Sequence, residues 1–508
     1  MVTEIESEVV IAGAGPTGLM LACELALAGV ETLVLEKLPG RIEQVKGGGV
    51  QPRTAELLES RGLLEPLLRS AIPRDPVGGH FGALPVPLDC TPWHTRHPFP
   101  ISIPQWVVEE VLEQRATAGG VRVLRDTAVS GVESDNDGVT VTAEDGLRVR
   151  ARYLAACDGG RSTVRKLLGL PFPGRDGTFL AVLADIRLSA VSSLVPKQAG
   201  HMSTLMRQVG DYWSMLVPVG GDRYRLTFGQ SGHGQTDIDR DSPVTRDEIA
   251  TALRVVYGDE TTLDAVDNSS RFTDATRQLE HYRAGRVLFA GDAAHIHPPL
   301  GGQGLNLGIQ DAFNLGWKLA TTIQGRAPSG LLDTYDAERH PVGARVLQHT
   351  SAQRVLADPK PSEDVTALRE IFTDLLRLPD TNRYLAGLIS GLSLSYPLPG
   401  DHPLTGQRML DADLVTEAGP ARFSTLLHSG HAVLLDLAGT IPADLRLPPR
   451  VDLVRATSTE DVGAAAVLVR PDGYVCWATD ADANADSPDA YDDSLFAAIA
   501  DGLARTAG

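Results

Sequence analysis

The chain has 508 residues, of which 43% are apolar and 22% are charged, a composition typical of globular proteins and unlike disordered or fibrous ones. Its 46 basic and 65 acidic side chains give a formal net charge of −19. This balance argues against nucleic acid or an anionic membrane as the main partner, because both attract basic surfaces. No apolar run approaches the roughly 18 residues of a membrane-spanning helix, and the length suits about three domains.

The N-terminus and the cysteines indicate a cytoplasmic protein. The first eight residues are acidic rather than basic, and an apolar strand follows directly, unlike the pattern of a signal peptide. The four cysteines form no CxxC pair, so the sequence predicts neither a zinc knuckle nor a dithiol redox site. We expect reduced packing residues at Cys23, Cys90, Cys157 and Cys476.

The first 36 residues have the pattern of one strand–helix–strand unit. A continuously apolar strand ends at Ala12, and a glycine-rich turn leads into helix-forming residues that end at Gly29. A second apolar run, Thr32–Leu35, ends at Glu36. Continuously apolar strands around a helix predict a βαβ unit in a buried parallel sheet.

The turn of this unit carries the spacing Gly13-x-Gly15-x-x-Gly18. Gly13 permits a tight turn, Gly15 lets a pyrophosphate approach the backbone, and Gly18 lets the helix pack closely, while the helix N-terminus attracts phosphate. Glu36 is placed to accept hydrogen bonds from a ribose diol. A purely structural glycine turn is the alternative, but the strand, the helix and the acid together favour dinucleotide binding.

Further along, the pattern alternates between helices and strands. Helices are predicted over Arg53–Leu68 and Trp106–Gly119, with irregular strands between them over Pro73–Pro104. Strands are predicted over Val121–Leu154 and again within residues 176–275. Helices then dominate to residue 394, and the segment after a Pro- and Gly-containing linker at 397–400 mixes strands with helix.

Two further blocks follow apolar strands. Asp158 and Gly159 stand between a strand and a helix, an arrangement that a generic turn would also explain. The block 291–306, GDAAHIHPPLGGQGLN, combines Asp292 at a strand end with glycines that open a long helix, whose N-terminus can stabilise an anion. His295-x-His297 has no carboxylate or cysteine at ligand spacing, so no metal site is predicted.

The three blocks, in this order and spacing, resemble those of the single-component class A flavoprotein aromatic hydroxylases, which are p-hydroxybenzoate-hydroxylase-like. Within this class the chain looks most like the aromatic polyketide hydroxylases of angucycline and anthracycline tailoring, with rifampicin monooxygenase as a cousin. The resemblance covers residues 1–398. The tail, notably RPDGYVCW at 470–477, more loosely resembles the thioredoxin-like C-terminal domain of this subgroup.

This resemblance implies an α/β fold with three domains. The Rossmann-type (GR2-like) FAD-binding domain would comprise residues 1–73, 101–175 and 276–398. An inserted strand-rich substrate-binding domain would comprise residues 74–100 and 176–275, and a thioredoxin-like C-terminal domain residues 399–508. Since the tail has no CxxC, we expect no disulfide chemistry there.

The resemblance also assigns residues to FAD. The glycine turn and Glu36 would hold the ADP half, Asp158 would lie near the pyrophosphate and the reduced nicotinamide, and Asp292 would bond a ribityl hydroxyl. The segment Pro299–Asn306 would line the isoalloxazine, with the backbone N–H groups of its last two residues facing N1 and C2=O. The full expected cofactor set is Gly13, Ala14, Gly15, Pro16, Thr17, Gly18, Glu36, Lys37, Lys46, Gly47, Gly48, Arg53, Gln105, Asp158, Gly159, Gly291, Asp292, Pro299, Gly302, Gly304, Leu305 and Asn306.

One position departs from the family pattern. Lys46 stands where relatives usually carry Arg, and Lys cannot make the planar, bidentate contacts of a guanidinium. The role of this position is therefore left open.

The implied reaction is an NAD(P)H-consuming monooxygenation. NADPH or NADH would reduce FAD, O₂ would form a flavin C4a-hydroperoxide, and one oxygen atom would enter a polycyclic aromatic, polyketide-type substrate. Because an activated phenol supplies its own nucleophilic carbon, no side chain is assigned as catalytic, and only Pro299 and Gly302 are placed near C4a. No second glycine motif follows a strand, so no separate nicotinamide domain is expected.

Substrate contacts are expected mainly from the strand-rich domain, although core packing would explain each of these residues as well: His201, Met202, Met206, Trp213, Met215, Pro218 and Phe228, with Pro298 from the third block. Three alternatives stay open, namely Baeyer–Villiger oxygenation, antibiotic-inactivating hydroxylation and a non-catalytic flavin-fold binding protein. A hydrolase is excluded because no GxSxG elbow is present. We expect a monomer or a homodimer.

Overall fold

The computed structural model describes residues 4–42, 49–72, 77–231, 241–442 and 445–480. The strands of this part, β1 to β22 in chain order, are Glu4–Ala12, Thr32–Leu35, Arg122–Leu124, Val129–Ser134, Val139–Ala143, Arg148–Ala156, Gly174–Arg175, Leu180–Ala190, Met206–Val209, Tyr212–Gly220, Arg223–Gln230, Thr262–Thr273, Thr276–Gln278, Arg283–Ala284, Val287–Phe289, His295–Ile296, Asp413–Thr416, Gly419–Arg422, Ala432–Asp436, Val451–Ser458, Ala466–Val469 and Val475–Thr479.

The helices of the same part, α1 to α12, are Pro16–Leu27, Pro52–Glu59, Leu64–Leu68, Gln105–Ala118, Thr163–Leu167, Met202–Leu205, Arg246–Tyr257, Gly304–Ile323, Asp333–Leu356, Glu363–Leu376, Pro379–Ser390 and Phe423–Leu426. The same part also contains the two short 3₁₀ turns Thr91–Trp93 and Gly291–Ala293.

The first sheet has eight strands and forms the largest layer. Its strands have the order β14-β15-β6-β1-β2-β3. In addition, β5 pairs with the first half of β6, and β4 pairs with β5. The strands β15, β6, β1, β2 and β3 are parallel. Helix α1 packs on this sheet, and α4 and α8 pack against α1 in the same hydrophobic core. Every residue of β2 and the last four of β1 are buried. Coverage of both faces explains their continuously apolar sequence.

The second sheet is antiparallel, with the strand order β12-β8-β11-β10-β9. Helix α7 covers one of its faces, and a core of aliphatic and aromatic side chains fills the space between them, including Leu216, Leu226, Leu253 and Tyr257. Successive side chains of a strand point to opposite faces, so the other face of β9 and β10 is turned away from this core and towards the rest of the molecule.

The C-terminal sheet has six strands in the order β18-β17-β20-β19-β21-β22. Its core includes Val433, Leu435 and Val467, all completely buried. The turn between β21 and β22 projects from this sheet and packs against α2, α8 and α9 of the first layer, through contacts of Arg470 and Asp472 that are described below.

Two of the predicted elements are wrong. The helix expected over Arg53–Leu68 is divided into α2 and α3, because Gly62 lies between them with φ +66° and ends the first helix. In the described part of Pro73–Pro104 there is a 3₁₀ turn and no strand. Proline lacks the N–H group that a strand ladder needs, and this segment is rich in proline.

The cysteines and the helices have the properties expected from the sequence. All four cysteines are free and buried, as expected for packing residues. Across the described ranges, none of the helices has both the length and the apolar character that a membrane span requires.

Candidate active site

Four parallel strand ends lie side by side at one edge of the first sheet. Ala12 of β1 pairs with Leu35 of β2 and with Ala156 of β6, and Ala156 also pairs with Phe289 of β15. The glycine turn, Glu36, the Asp158 block and the 291–306 block therefore all begin at this edge. Parallel α/β sheets bind their ligands outside the carboxyl ends of the strands, which makes this edge the candidate site.

The glycine turn leaves free space in front of helix α1. A Cβ on Gly13, which has φ +103°, would lie 2.5 Å from the Cys157 carbonyl oxygen, and a Cβ on Gly18 would overlap the Gly13 carbonyl oxygen. Both glycines are therefore required by close backbone packing. A Cβ on Gly15 would meet no described atom within 4 Å, and α1 begins there without a side-chain cap. Free N–H groups beside open space suit a phosphate.

Glu36 is buried at the end of β2, beside the glycine turn. The Ala14 N–H donates a hydrogen bond to its Oε2 (2.7 Å), and the Leu38 N–H donates to its Oε1 (2.9 Å). Each carboxylate oxygen can accept a second hydrogen bond, so the carboxylate is held in place with capacity left for a diol. Its neighbour Lys37 is exposed.

Asp158 binds the first backbone N–H groups of helix α5 through one carboxylate oxygen only. Its Oδ2 accepts hydrogen bonds from the backbone N–H groups of Thr163 (2.7 Å) and Val164 (3.1 Å). Its Oδ1 is buried and has no hydrogen-bond partner among the described residues. Gly159 follows with φ +81° and open space where a Cβ would be. A buried acceptor without a donor is costly, so this oxygen is well placed to accept a hydrogen bond from a ligand.

The turn around Asp292 joins helices α1 and α8. A Cβ on Gly291 (φ +61°) would lie 2.6 Å from the Thr17 Oγ1, and a Cβ on Gly308 would overlap the same oxygen. Thr17 is thus enclosed between two glycines, which holds the two helix starts together. Asp292 itself is exposed, with its Oδ1 3.7 Å from the position of a Cβ on Gly304, the first residue of α8. The carboxylate and the helix N-terminus form one polar corner.

The loop that precedes α8 is fixed by the Asn306 side chain. Its Oδ1 accepts from the Gln51 N–H (2.8 Å), and its Nδ2 donates to the carbonyl oxygens of Gly49 (2.9 Å) and Gly302 (2.8 Å). The Gln51 side chain donates to the Gly301 carbonyl oxygen (2.9 Å). Sequence analysis missed Gln51, because no motif marks a residue whose role depends on a partner 250 positions away.

The loop itself exposes some of the expected flavin-lining positions. Gly301 and Gly302 both have positive φ angles, +78° and +62°, which side chains other than glycine rarely adopt. Pro299 and Gly302 are exposed, Leu305 is half-buried, and Pro298 is buried. A flat ring system could approach this backbone without displacing side chains.

Two expected cofactor residues have other partners. Arg53 forms an ion pair with Glu56 (2.9 Å), donates to the Asp472 carbonyl oxygen (3.1 Å) and lies 4.8 Å from the centre of the Tyr474 ring, so it faces the C-terminal sheet. Gln105, half-buried at the start of α4, donates to Glu109 (2.8 Å). Their contact with a cofactor stays a prediction. Lys46, Gly47 and Gly48 lie outside the described residues.

A cavity of about 580 Å³ lies between the second sheet and the helices α9 and α10. Met206 and Trp213 line the cavity on the side of the second sheet. The segment 82–85, the end of α9 at Leu356 and one face of α10 line the rest of it. A Cβ on Gly229 would collide with the Trp213 ring (2.8 Å), so this glycine lets the indole lie against the strand β11. The sequence did not indicate the contribution of α10, because three distant segments build this wall.

The other expected substrate residues divide between the two faces of the second sheet. Met215 lies two residues after Trp213 and therefore on the same face, and its strand neighbour is Met206. His201 caps the short helix α6, which begins with Met202. Phe228, however, is buried in the core under α7. Pro218 lies on that same face by strand alternation, so neither residue faces the cavity.

These observations fit a dinucleotide that extends along the sheet edge. One end offers Gly15 and Glu36, the middle offers the unused Oδ1 of Asp158, and the far end offers Asp292 beside the start of α8. Acceptors are placed for hydroxyl groups, and free helix N–H groups are placed for phosphates. Along the edge, these acceptors and N–H groups suit a ribose, a pyrophosphate and a polyhydroxyl chain in that order.

Comparison with known protein families agrees with this geometry. Residues 6–350 match the family described as FAD binding domain, which is more than half of the chain. Residues 402–498 match the family described as aromatic-ring hydroxylase, C-terminal.

Individual relatives cover nearly the whole chain. The 12-dehydrotetracycline 5-monooxygenase/anhydrotetracycline 6-monooxygenase of Streptomyces rimosus is 49% identical, over 92% of this chain and 95% of its own. A rifampicin monooxygenase of Streptomyces venezuelae is 42% identical, over 93% and 95% of the two chains. A dialkyldecalin synthase of Streptomyces rugosporus is 40% identical, over 92% and 95%.

A solved structure has the same architecture. The anhydrotetracycline hydroxylase of Streptomyces rimosus superimposes with a TM-score of 0.84 at 47% identity, covering 95% of this chain and 97% of its own. The motif blocks, the two family matches and these relatives agree. The chain belongs to the class A flavoprotein monooxygenases, in the aromatic polyketide hydroxylase subgroup, as its sequence blocks predicted.

Proposed function

We propose that this FAD-dependent aromatic monooxygenase consumes NADPH or NADH and inserts one oxygen atom of O₂ into a polycyclic, polyketide-type aromatic substrate. The observation that carries the proposal is the single sheet edge at which the open Gly15 turn, Glu36, the unused Asp158 oxygen and Asp292 meet. The substrate class is taken from relatives whose printed names specify anhydrotetracycline and rifampicin.

In this proposal the residues of the chain bind and orient the cofactor. Bound FAD would supply the redox and oxygen-activating chemistry. Glu36 would accept hydrogen bonds from the ribose, the N-terminus of α1 would face the pyrophosphate, and Asp292 would accept from the ribityl chain. The N–H groups at the start of α8, at Leu305 and Asn306, would stabilise negative charge on the ring.

The cavity of about 580 Å³ is proposed to receive the substrate. Its volume is within the range of pockets for small-molecule ligands. Its lining combines apolar side chains with polar and charged ones, which include Arg207, Arg369 and Glu370. Met206 adapts to irregular shapes, and Trp213 offers a ring face for stacking.

The finer architecture belongs to the same proposal. The five parallel strands of the first sheet support a Rossmann-type, GR2-like FAD-binding domain, and the antiparallel second sheet supports an inserted substrate domain. The mixed C-terminal sheet supports a thioredoxin-like domain. We propose the domain boundaries given by the sequence, a cytoplasmic location, and a monomer or homodimer.

Anaerobic flavin reduction tests this function. The protein is loaded with FAD, mixed with NADPH or NADH, and followed by flavin absorbance with and without anhydrotetracycline as a probe. We expect reduction by one nicotinamide, acceleration by the probe and, after O₂ is admitted, a product heavier by one oxygen atom. A loaded protein that neither nicotinamide reduces would contradict the proposal.

The product also separates the alternatives. Ring connectivity distinguishes hydroxylation from a Baeyer–Villiger insertion, since both add one oxygen atom. A product of unchanged mass would indicate a cyclising activity, like that named for the dialkyldecalin synthase relative. A protein that takes up no FAD would indicate a binding protein without catalysis.

A further inference from the structure

The guanidinium of Arg369, in the middle of helix α10, is fixed against the end of helix α9. Its Nε–H donates to the carbonyl oxygen of Leu356 (2.6 Å), and its Nη2 donates to the carbonyl oxygen of Asp358 (2.5 Å). Leu356 is the last residue of α9, and the last carbonyl groups of a helix have no partner within it. The two hydrogen bonds therefore hold the guanidinium at the junction of the two helices.

The rest of this guanidinium is available at the wall of the 580 Å³ cavity. Arg369 is half-buried and lines the cavity together with Leu356 and Asp358. A guanidinium carries five N–H groups, and the two hydrogen bonds to α9 use only two of them. The other three, on Nη1 and Nη2, have no acceptor among the described residues.

In the described part of the chain, no carboxylate forms an ion pair with Arg369. The acidic residues that line the cavity are exposed, namely Asp358, Glu370 and Asp374. Asp374 is already paired with Arg377 (2.5 Å). Burial lowers the pKa of Arg369, against the opposing attraction of Asp358. The negative charge nearby therefore does not compensate for the partial removal of this guanidinium from water.

A second guanidinium lines the same cavity from the side of the second sheet. Arg207, on β9, is half-buried, and its Nε is buried without a partner among the residues that the structure describes. Both half-buried charged residues of the cavity are thus arginines without an ion pair. The acidic residues face water, which screens their charge.

The charge of the whole protein does not explain an attraction of anions into this cavity. The chain has a formal net charge of −19, so its long-range field repels them. Any preference of the cavity for an anion must therefore come from a local group. The parallel N–H groups of a guanidinium match two coplanar oxygen atoms that share one negative charge.

We propose that Arg369 binds a planar oxyanion of the aromatic substrate, as in a carboxylate or an ionised 1,3-diketone. The N–H groups that remain on its Nη1 and Nη2 would donate to the two oxygen atoms, while the hydrogen bonds to α9 keep the guanidinium in place. The ring system would occupy the same cavity, which Trp213 also lines. This inference rests on the proposed function and names a residue that selects the substrate.

Binding to the oxidised, FAD-loaded enzyme tests this inference without turnover. Anthraquinone-2-carboxylate and anthraquinone-2-carboxamide have nearly the same shape and differ in charge. 2-Acetylindane-1,3-dione is ionised at pH 7, whereas 2-acetyl-2-methylindane-1,3-dione cannot form the enolate. Each probe is titrated and followed by tryptophan fluorescence. We expect wild type to bind the anion of at least one pair at least tenfold more tightly than its neutral partner, the effect of hydrogen bonds to a charged group. The pair that shows the preference identifies the oxyanion.

Two variants of Arg369 and one control locate the preference. Arg369→Met removes the guanidinium, and Arg369→Gln also removes the charge but keeps an amide that can donate to α9. Both should bind the anion and its neutral partner equally within about twofold, while their affinity for the neutral probe stays within about twofold of wild type. The control is Arg345→Met, which changes an exposed arginine of α9 that donates to the Tyr384 hydroxyl (3.0 Å) and does not line the cavity. It should keep the full preference.

Three results would overturn the inference. Wild type that binds neither anion more tightly than its neutral partner has no oxyanion site in this cavity. An equal loss of affinity for both probes in the Arg369 variants would mean that this residue only holds the end of α9. Loss of the preference in Arg207→Met, with the preference kept in Arg369→Gln, would assign the anion to the other guanidinium. Flavin reduction by a nicotinamide without any anion preference refutes Arg369 alone, whereas absent flavin reduction refutes the proposed function.

Discussion

At the scale of single residues, buried histidines couple stability to pH. Burial lowers the pKa of His349 to about 3 and that of His80 to about 4, from the usual 6.5. As the pH falls below 6.5, these rings take up protons in the unfolded chain but not in the folded protein. The unfolded state then binds more protons, so the free energy of unfolding decreases.

We therefore predict that the free energy of unfolding falls between pH 7 and pH 5, by up to about 1.4 kcal/mol per pH unit for each ring. Urea denaturation followed by tryptophan fluorescence at pH 7, 6 and 5 measures it. The variant His349→Phe should have a shallower slope than wild type. A slope that His349→Phe leaves unchanged would show that this ring titrates normally in the folded protein.

The sequence could indicate those residues whose position follows from local geometry. Glu36, Asp158 and Asp292 each follow a strand, and parallel strands end at one edge, so their proximity follows from the strand pattern. Gln51 and Gln353 act through partners far away in the chain, which are the Gly301 carbonyl oxygen and the Gly82 N–H. No spacing rule encodes such contacts, and only the folded chain shows them.

At the scale of elements, the glycine turn separates packing from ligand binding. A Cβ on Gly18 would overlap the Gly13 carbonyl oxygen, whereas a Cβ on Gly15 would enter open space. We predict that Gly18→Ala destabilises the fold by roughly 1–3 kcal/mol through overpacking. Gly15→Ala should leave the melting temperature of the FAD-free protein nearly unchanged and weaken FAD binding at least tenfold, because the methyl group would occupy the phosphate position.

Calorimetry of both variants without FAD and fluorescence titration with FAD measure the two effects separately. The control variant is Gly40→Ala, since Gly40 has no positive φ angle and open surroundings, whereas Gly146, with φ +88°, would be strained by a side chain. Gly40→Ala should change neither the melting temperature nor the FAD affinity. Equal FAD affinity of Gly15→Ala and wild type would mean that the cofactor does not pass this turn.

The same scale shows why some elements were predictable and others were not. The last four residues of β1 and the whole of β2 are buried and almost entirely apolar, and β2 has the bounds predicted, Thr32–Leu35. The segment 77–104 has proline and glycine but no periodicity, and its described part is held by side-chain contacts such as those of Trp93 with the Arg383 carbonyl oxygen. Tertiary contacts rather than local preference determine its course.

At the scale of the whole molecule, a buried charge network joins the C-terminal sheet to the FAD-binding layer. Arg470 makes two hydrogen bonds of 2.8 Å to Glu338 on α9 and pairs with Asp472. Lys318 on α8 pairs with Glu338 (2.8 Å), and Asn314 donates to it. Two positive and two negative groups thus balance one another in a space that is almost fully closed to water.

This network continues towards the cofactor edge through neighbouring side chains. Next to Glu338, Arg339 donates to Asp311 on α8 (2.7 Å), and Asp311 accepts from His295 (2.7 Å) and from the Gly291 N–H (3.1 Å). Burial alone would raise the pKa of Asp311, but Arg339 and His295 outweigh it and lower the pKa. An ionised Asp311 therefore holds the turn that carries Asp292.

Because both halves share these charges, we predict that Arg470→Met destabilises the entire protein and not only the C-terminal sheet. Removing one partner leaves the carboxylates of Glu338 and Asp472 short of positive charge in a dry environment, a change that costs roughly 3–5 kcal/mol. Lys360→Met removes an exposed pair with Asp211 and should cost less than about 1 kcal/mol. Urea unfolding of both variants, monitored by fluorescence and by FAD release, measures the difference in the free energy of unfolding.

For Arg470→Met we expect a single transition, shared by both signals and shifted to a lower urea concentration. Early loss of the C-terminal sheet, with FAD release at the wild-type urea concentration, would mean that the two halves are only attached and not coupled.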